Sequence, residues 1–310
     1  VLSEKPWKLE AIARLLIGVF ICMCIGSLVG TAIYPGAGFQ KHKTMFFVLA
    51  AVALLLLIAA LVQLGKAWTL EKFGRELGVL FACFYPGLIL LLVASHLAGT
   101  PTSANGIGQM LIAVLSLQGA VVALTWRMLR QQRISWDCAF GFSEDWERAL
   151  RLGIAVAVIF LPIGYGLQWL SDFAMRLPHS PVQPVEQQAV QTLRTASSWI
   201  QRLAAGTVTI VVAPLGEELL FRGILYPTIK QAGFSRLALW VTSLAFAAIH
   251  LNAVTFAPLF VLSVLLILLY EKTNNLVAPI VAHSVFNGIQ FASLYIEQYL
   301  SQMHKWTIFR

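Results

Sequence analysis

This chain is short of charge. Asp, Glu, Lys and Arg make up 12% of its 310 residues, about half the ~25% of a soluble domain. Hydrophobic residues reach 58%. That balance argues against an ordinary soluble fold and for an integral membrane protein. Cysteine is scarce as well. Cys22, Cys24, Cys83 and Cys138 form no C-x-x-C pair, so sulfur-based metal or redox chemistry is not expected and the thiols read as buried and inert. The chain has no H-E-x-x-H, no Ser or Cys nucleophile motif, no RNA- or DNA-binding motif and no convincing internal repeat. Its net charge of +8 lies mostly between apolar runs. There, Lys and Arg orient helices rather than bind nucleic acid.

What the chain has in quantity is apolar sequence in helix-length runs. A helix needs about 20 apolar residues to cross the hydrocarbon core. Candidate spans fall near 11–33, 44–64, 77–98, 106–127, 151–171, 199–230, 236–251, 256–271 and 277–298. The expected fold class is therefore all-α, a polytopic membrane protein of about eight to nine transmembrane helices, with the lipid bilayer as its first partner. The run from Leu9 to Tyr34 is too long for a signal-peptide core and reads as a retained helix. Pro214 lacks an N–H donor and is expected to kink or restart the long sixth span. That would put Glu217 in a first helical turn, where the dipole favours an anion.

Two connections stand apart. Residues 127–151 carry five arginines with Trp136, Phe140, Phe142 and Trp146, as expected of a surface-lying segment with aromatic anchors. Residues 172–198 contain Pro178, Pro181 and Pro184 and read as an irregular external loop. The expected division is N-terminal helices over 1–195 and a helical core over 196–300. With nine crossings, fourteen Lys and Arg fall on the N-terminal side and seven on the other. The excess puts the N-terminus in the cytoplasm.

The informative residues are the few polar groups inside the last spans: Glu217-Glu218-x-x-x-Arg222, Phe246-x-x-x-His250 and His283-x-x-x-Asn287. Ionisable groups within a membrane are costly to bury, which makes them functional-site candidates. Glu218 and Arg222 are i,i+4 neighbours in the favourable acid-before-base order, so they are expected to pair. Glu217 points about 100° away around the helix and is left for chemistry. At a rise of about 1.5 Å per residue, measured from the loops at 231–235 and 272–276, Glu217 and His250 lie about 21 Å up, Asn287 about 16 Å and His283 about 10 Å. One slab of the membrane would hold them all, which suggests a convergent pocket.

Glu217 with His250 can hold and deprotonate a water. His283 and Asn287 can donate hydrogen bonds to an oxyanion. The combination suits peptide hydrolysis without a covalent acyl-enzyme. A competing arrangement uses Glu217, His250 and His283 as zinc ligands.

The three motifs, in this order, resemble the CAAX protease and bacteriocin-processing family, whose eukaryotic members are type II CAAX prenyl endopeptidases. Pro214-x-x-Glu217-Glu218-x-x-Phe221-Arg222-Gly223 and Ala278-Pro279-x-x-x-His283-x-x-x-Asn287 look like that family too. The resemblance covers roughly residues 199–292. It implies a glutamate-dependent intramembrane endopeptidase that needs no cofactor. Glu217 and His250 would activate the water, His283 and Asn287 would form the oxyanion hole, and Glu218 with Arg222 would support them. Substrates would be peptides or membrane proteins, possibly lipidated. The expected location is the plasma (inner) membrane in a bacterium or the endoplasmic reticulum in a eukaryote. Rival readings are a non-catalytic scaffold or bacteriocin-immunity protein on the same fold, and a proton-coupled transporter.

Overall fold

A computed structural model describes residues 2, 5–36, 39–66, 72–99, 106–143, 145–177 and 183–308, with backbone only at 188, 189 and 301–308. Pro178, Pro181, Arg310 and the Lys305 side chain, all used in the sequence reading, lie outside that description. All regular structure among the described residues is helical. Eight helices are long and apolar enough to cross a membrane, and the chain is a multi-pass integral membrane protein. The chain divides into two compact units, Lys8–Met128 and a second made of Val1–Trp7 with Leu129–Arg310.

The first unit contains α1 (Leu9–Ile33), α2 (Phe39–Leu64), α3 (Phe73–Ala98) and most of α4 (Gly106–Gln132). Its core runs through Leu28, Ala53, Leu57, Ala60, Leu91 and Ala94. Small residues permit this close packing. A Cβ on Gly87 of α3 would meet Leu56 and Leu57 of α2 at 3.2 Å. At the end of α2, Arg14 donates to Leu64 O and Arg127 to Gly65 O. These two cations satisfy carbonyls that the helix cannot pair itself.

The second unit contains α5 (Trp136–Phe140), α6 (Trp146–Met175), α7 (Gln188–Arg194), α8 (Trp199–Gln231), α9 (Ser235–Ala248), α10 (Ala253–Thr273) and α11 (Val277–Ile308). The span expected near 236–251 is the 14-residue α9. At about 1.5 Å per residue it is too short to cross the hydrocarbon core alone. Helix α6 packs on α10 and α11 through Ala157, Phe160, Leu262, Leu266, Ala278 and Ala282. Gly153 of α6 makes the closest approach. A Cβ there would lie 2.6 Å from the carbonyl oxygen of Ala278, a backbone atom that cannot rotate away. Gly153→Ala is expected to destabilise the unit by about 1–3 kcal/mol, the usual cost of overpacking. Thermal unfolding in detergent against Gly166→Ala, whose Cβ meets nothing, checks it; equal melting would mean that α6 does not pack this closely.

Several local expectations change. Pro214 does not restart its helix. Residues 199–231 form one continuous helix, and a wide turn at Val208–Val212, with hydrogen bonds reaching one residue further than in an α-helix, precedes the proline. Such a turn loosens the ladder where proline cannot donate. Glu217 is thus inside a helix, and a helix-start dipole does not act on it. Phe140 is not a headgroup anchor. It is fully buried, 5.9 Å from Trp7 and against Gly223 of α8. It is driven in because Gly141 turns the chain at φ +72°, where a Cβ would sit 2.2 Å from Asn274 O. Trp146 remains half exposed. Of the four thiols Cys24 alone is buried; Cys22 and Cys83 are half-buried, and Cys138 is exposed, on the outer side of α5, whose Ala139 and Phe140 face inward. The expected irregular loop near 172–198 includes α7.

Candidate active site

The motif residues lie on α8, on α9 and the turn after it, which holds His250, and on α11, and α10 adds a partner to them. Glu218 and Arg222 form the pair that their spacing predicts: Arg222 Nη1 donates to Glu218 Oε1 at 2.9 Å, and both side chains are fully buried. A buried ion pair is tolerable only when further hydrogen bonds help to offset lost solvation. Arg222 finds them on α10, where Nη2 donates to Ser263 Oγ at 2.8 Å and to Ser263 O at 3.3 Å. Its guanidinium also lies 4.4 Å from the centre of the Phe246 ring, within cation–π range.

Glu218 Oε1 has a second partner, His283 Nδ1 at 2.7 Å. A carboxylate already paired with a guanidinium can only accept, so this ring hydrogen is on Nδ1. The other ring nitrogen, Nε2, then faces Glu217, with 3.8 Å to Oε2. His283 is nearly fully buried and Glu217 is 15% exposed. One imidazole therefore stands between two neighbouring carboxylates, hydrogen bonded to the sealed one and facing the more open one.

Phe246 is the hub of the rings. It meets Phe221 edge-on at 5.3 Å, His283 edge-on at 5.7 Å and His250 at 5.0 Å. Its carbonyl accepts from His250 Nδ1 at 2.7 Å. A carbonyl carries no hydrogen, so Nδ1 is the protonated nitrogen and Nε2 keeps its lone pair. The corner after His250 is unusual: Leu251 has φ +49° and is 92% exposed. Asn252 then caps α10 by accepting from Thr255 N at 3.0 Å and ties down the 183–198 segment by donating to Val185 O at 2.8 Å. Asn287 is half buried, and its amide donates to Thr209 O in the wide turn of α8 at 3.0 Å. That bond orients the side chain and leaves its second amide hydrogen for another acceptor.

The six expected residues are thus not equally joined. Glu217, Glu218, Arg222 and His283 form one contact network, and His250 connects to it through Phe246. Asn287 is held from α8, eight residues before Glu217. The depth estimate was poorest for His283, expected about 10 Å below Glu218 and found bonded to it. A second wide turn, Leu219–Leu225, puts more residues into each turn of α8 and so takes up part of that difference. Ser263 was missed. The signal was there to find: it is the one polar residue between Pro258 and Tyr270. Among the described residues, no three His, Cys, Asp or Glu side chains gather as a metal-ligand set.

Comparison with known proteins bears on the same stretch. Residues 199–289 match the family described as type II CAAX prenyl endopeptidase Rce1-like. These residues carry an Rce1-like CAAX prenyl endopeptidase family domain. The Rce1-like domain thus spans α8 to the first part of α11 and contains every site residue described above. Two relatives are similar in part. The Uncharacterized protein YpbD of Bacillus subtilis is 33% identical over 101 residues, 31% of this chain and 49% of the relative. The UPF0177 protein YxdF of Lactococcus lactis is 31% identical over 78 residues, 25% of this chain and 42% of the relative. The chain spans about half the length, or less, of these curated relatives. No solved structure matches it.

Proposed function

We propose that this protein is an intramembrane endopeptidase that hydrolyses a peptide bond with a water activated by Glu217 and His250. The observation that carries the reading is His283 set between Glu218 at 2.7 Å and Glu217 at 3.8 Å. The second gap exceeds a direct hydrogen bond and suits one bridging oxygen. Glu217 takes a proton from the attacking water, and the resulting hydroxide adds to the carbonyl carbon. With Nδ1–H engaged by Glu218, a proton on Nε2 makes the His283 ring cationic and aims that N–H toward Glu217, where the oxyanion forms. The second amide hydrogen of Asn287 adds a donor. Collapse of the tetrahedral intermediate expels the amine, which takes the proton that Glu217 received from the water.

The 196–300 helical core carries this chemistry. The substrate is a membrane-embedded or lipid-bearing peptide, cut near the cytoplasmic leaflet. The membrane is the plasma (inner) membrane in a bacterium or the endoplasmic reticulum in a eukaryote. The test compares new N-termini in membrane proteomes from cells with wild-type protein and with Glu217→Gln. Products present only with wild type identify substrate and bond together. Identical product sets would remove hydrolysis as the function and favour a scaffold. Zinc at one per chain in purified protein, lost together with cleavage on chelation, would replace the metal-free mechanism.

A further inference from the structure

We propose that Ser263 is a positioning residue of this site: it holds Arg222, and through it the Glu218 carboxylate that orients His283. The inference rests on the hydrolytic reading above and extends it to a helix that carries none of the three motifs.

Guanidinium and carboxylate prefer a fork, with two parallel N–H···O bonds. This pair does not adopt it. Only Nη1 reaches Glu218, at Oε1. Glu218 Oε2 is buried with no hydrogen-bond partner. Leaving a buried carboxylate oxygen unsatisfied is unfavourable, so something must hold the second arm of the guanidinium away.

Ser263 does so. Arg222 Nη2 is taken by the Ser263 hydroxyl at 2.8 Å and its carbonyl at 3.3 Å. Arginine has no acceptor atom, so Ser263 accepts in both bonds. The Phe246 face at 4.4 Å holds the guanidinium plane. Glu218 Oε1 is then shared by two donors, Arg222 Nη1 and His283 Nδ1. Without the hydroxyl, only the longer bond to the Ser263 carbonyl at 3.3 Å restrains Nη2, and the guanidinium can pivot toward the unpartnered Oε2. That pivot turns the carboxylate and displaces Oε1, so the bond that orients His283 is disturbed and Nε2 loses its fixed aim toward Glu217. Ser263 is fully buried within the apolar run of α10, far from any role in solvation. It acts through Arg222 and Glu218, not on the substrate.

Thr and Val are close in shape and differ at the hydroxyl, so Ser263→Thr and Ser263→Val share any steric penalty. The readout is the rate at which Glu217-dependent new N-termini form in membranes, per amount of folded protein. Ser263→Thr is expected to stay within about 3-fold of wild type and Ser263→Val to fall by about 10–100-fold, the range for losing a supporting hydrogen bond. Equal rates for the two variants overturn the proposal. If neither accumulates in folded form, Ser263→Ala decides: a fall of at least about 10-fold at unchanged melting temperature supports the assignment, and full activity overturns it. Failure of the hydrolytic reading shows separately, as products that persist in Glu217→Gln.

Discussion

Glu217→Gln should lower the rate of peptide hydrolysis by about 10²–10⁴-fold, the usual contribution of a general base. The change is close to isosteric and removes the ability to take a proton from water. Folding should be affected little. Glu217 is the more open of the two acids, 15% exposed, while Glu218 is sealed and holds the ion pair. The variant should therefore reach the membrane, melt near the wild-type temperature and still bind substrate. Trapped, uncleaved substrate co-purifying with it would be the clearest positive result. Turnover within a few-fold of wild type would sink the assignment of Glu217 as base. A large fall in melting temperature would instead mark Glu217 as a structural group.

Arg222→Leu should destabilise the second unit by about 3–5 kcal/mol, because it strands an ionised carboxylate in a fully buried place. Glu218 would then keep His283 as its one charge-compensating neighbour. The double variant Glu218→Gln with Arg222→Leu should recover much of that stability, since replacing a whole buried pair by neutral groups is far cheaper than breaking it. It should not recover activity. A neutral amide in place of Glu218 no longer favours a cationic His283 ring during oxyanion formation. Melting temperature and cleavage rate would thus part company in the double variant. If Arg222→Leu melts like wild type, the pair is not sealed from water. If the double variant cleaves normally, the Glu218–His283 bond has no part in the chemistry.

These two outcomes rest on unequal kinds of inference. The Glu218–Arg222 pair could be read from spacing alone, because residues four apart on a helix must be neighbours. Pro214 shows where that approach stops. Its missing donor argued for a kink or a restart, and the chain widened one turn before it and continued as one helix without restarting. Local rules say that the proline disturbs the ladder; they do not say which neighbouring turn absorbs it. Phe140 failed for a related reason. Aromatic residues in a polar segment suggest headgroup anchors, but the left-handed turn at Gly141 and the bond from Leu276 N to Phe140 O at 3.0 Å draw this one under α8.

The sequence by itself determined that the chain crosses a membrane many times, which polar residues inside its spans are candidates for chemistry, and that Glu218 faces Arg222. All of these follow from composition or from periodicity within one helix. Only the tertiary structure decided that His283 bonds Glu218 across 65 residues and that Arg222 is held by Ser263 across 41. It also decided that Phe246 supports the guanidinium and both imidazoles. Those contacts depend on how far one helix is shifted along another and how each is rotated. Both are set by side-chain packing on helix faces, such as Gly153 against Ala278 and Phe160 against Phe286, and no single helix encodes them.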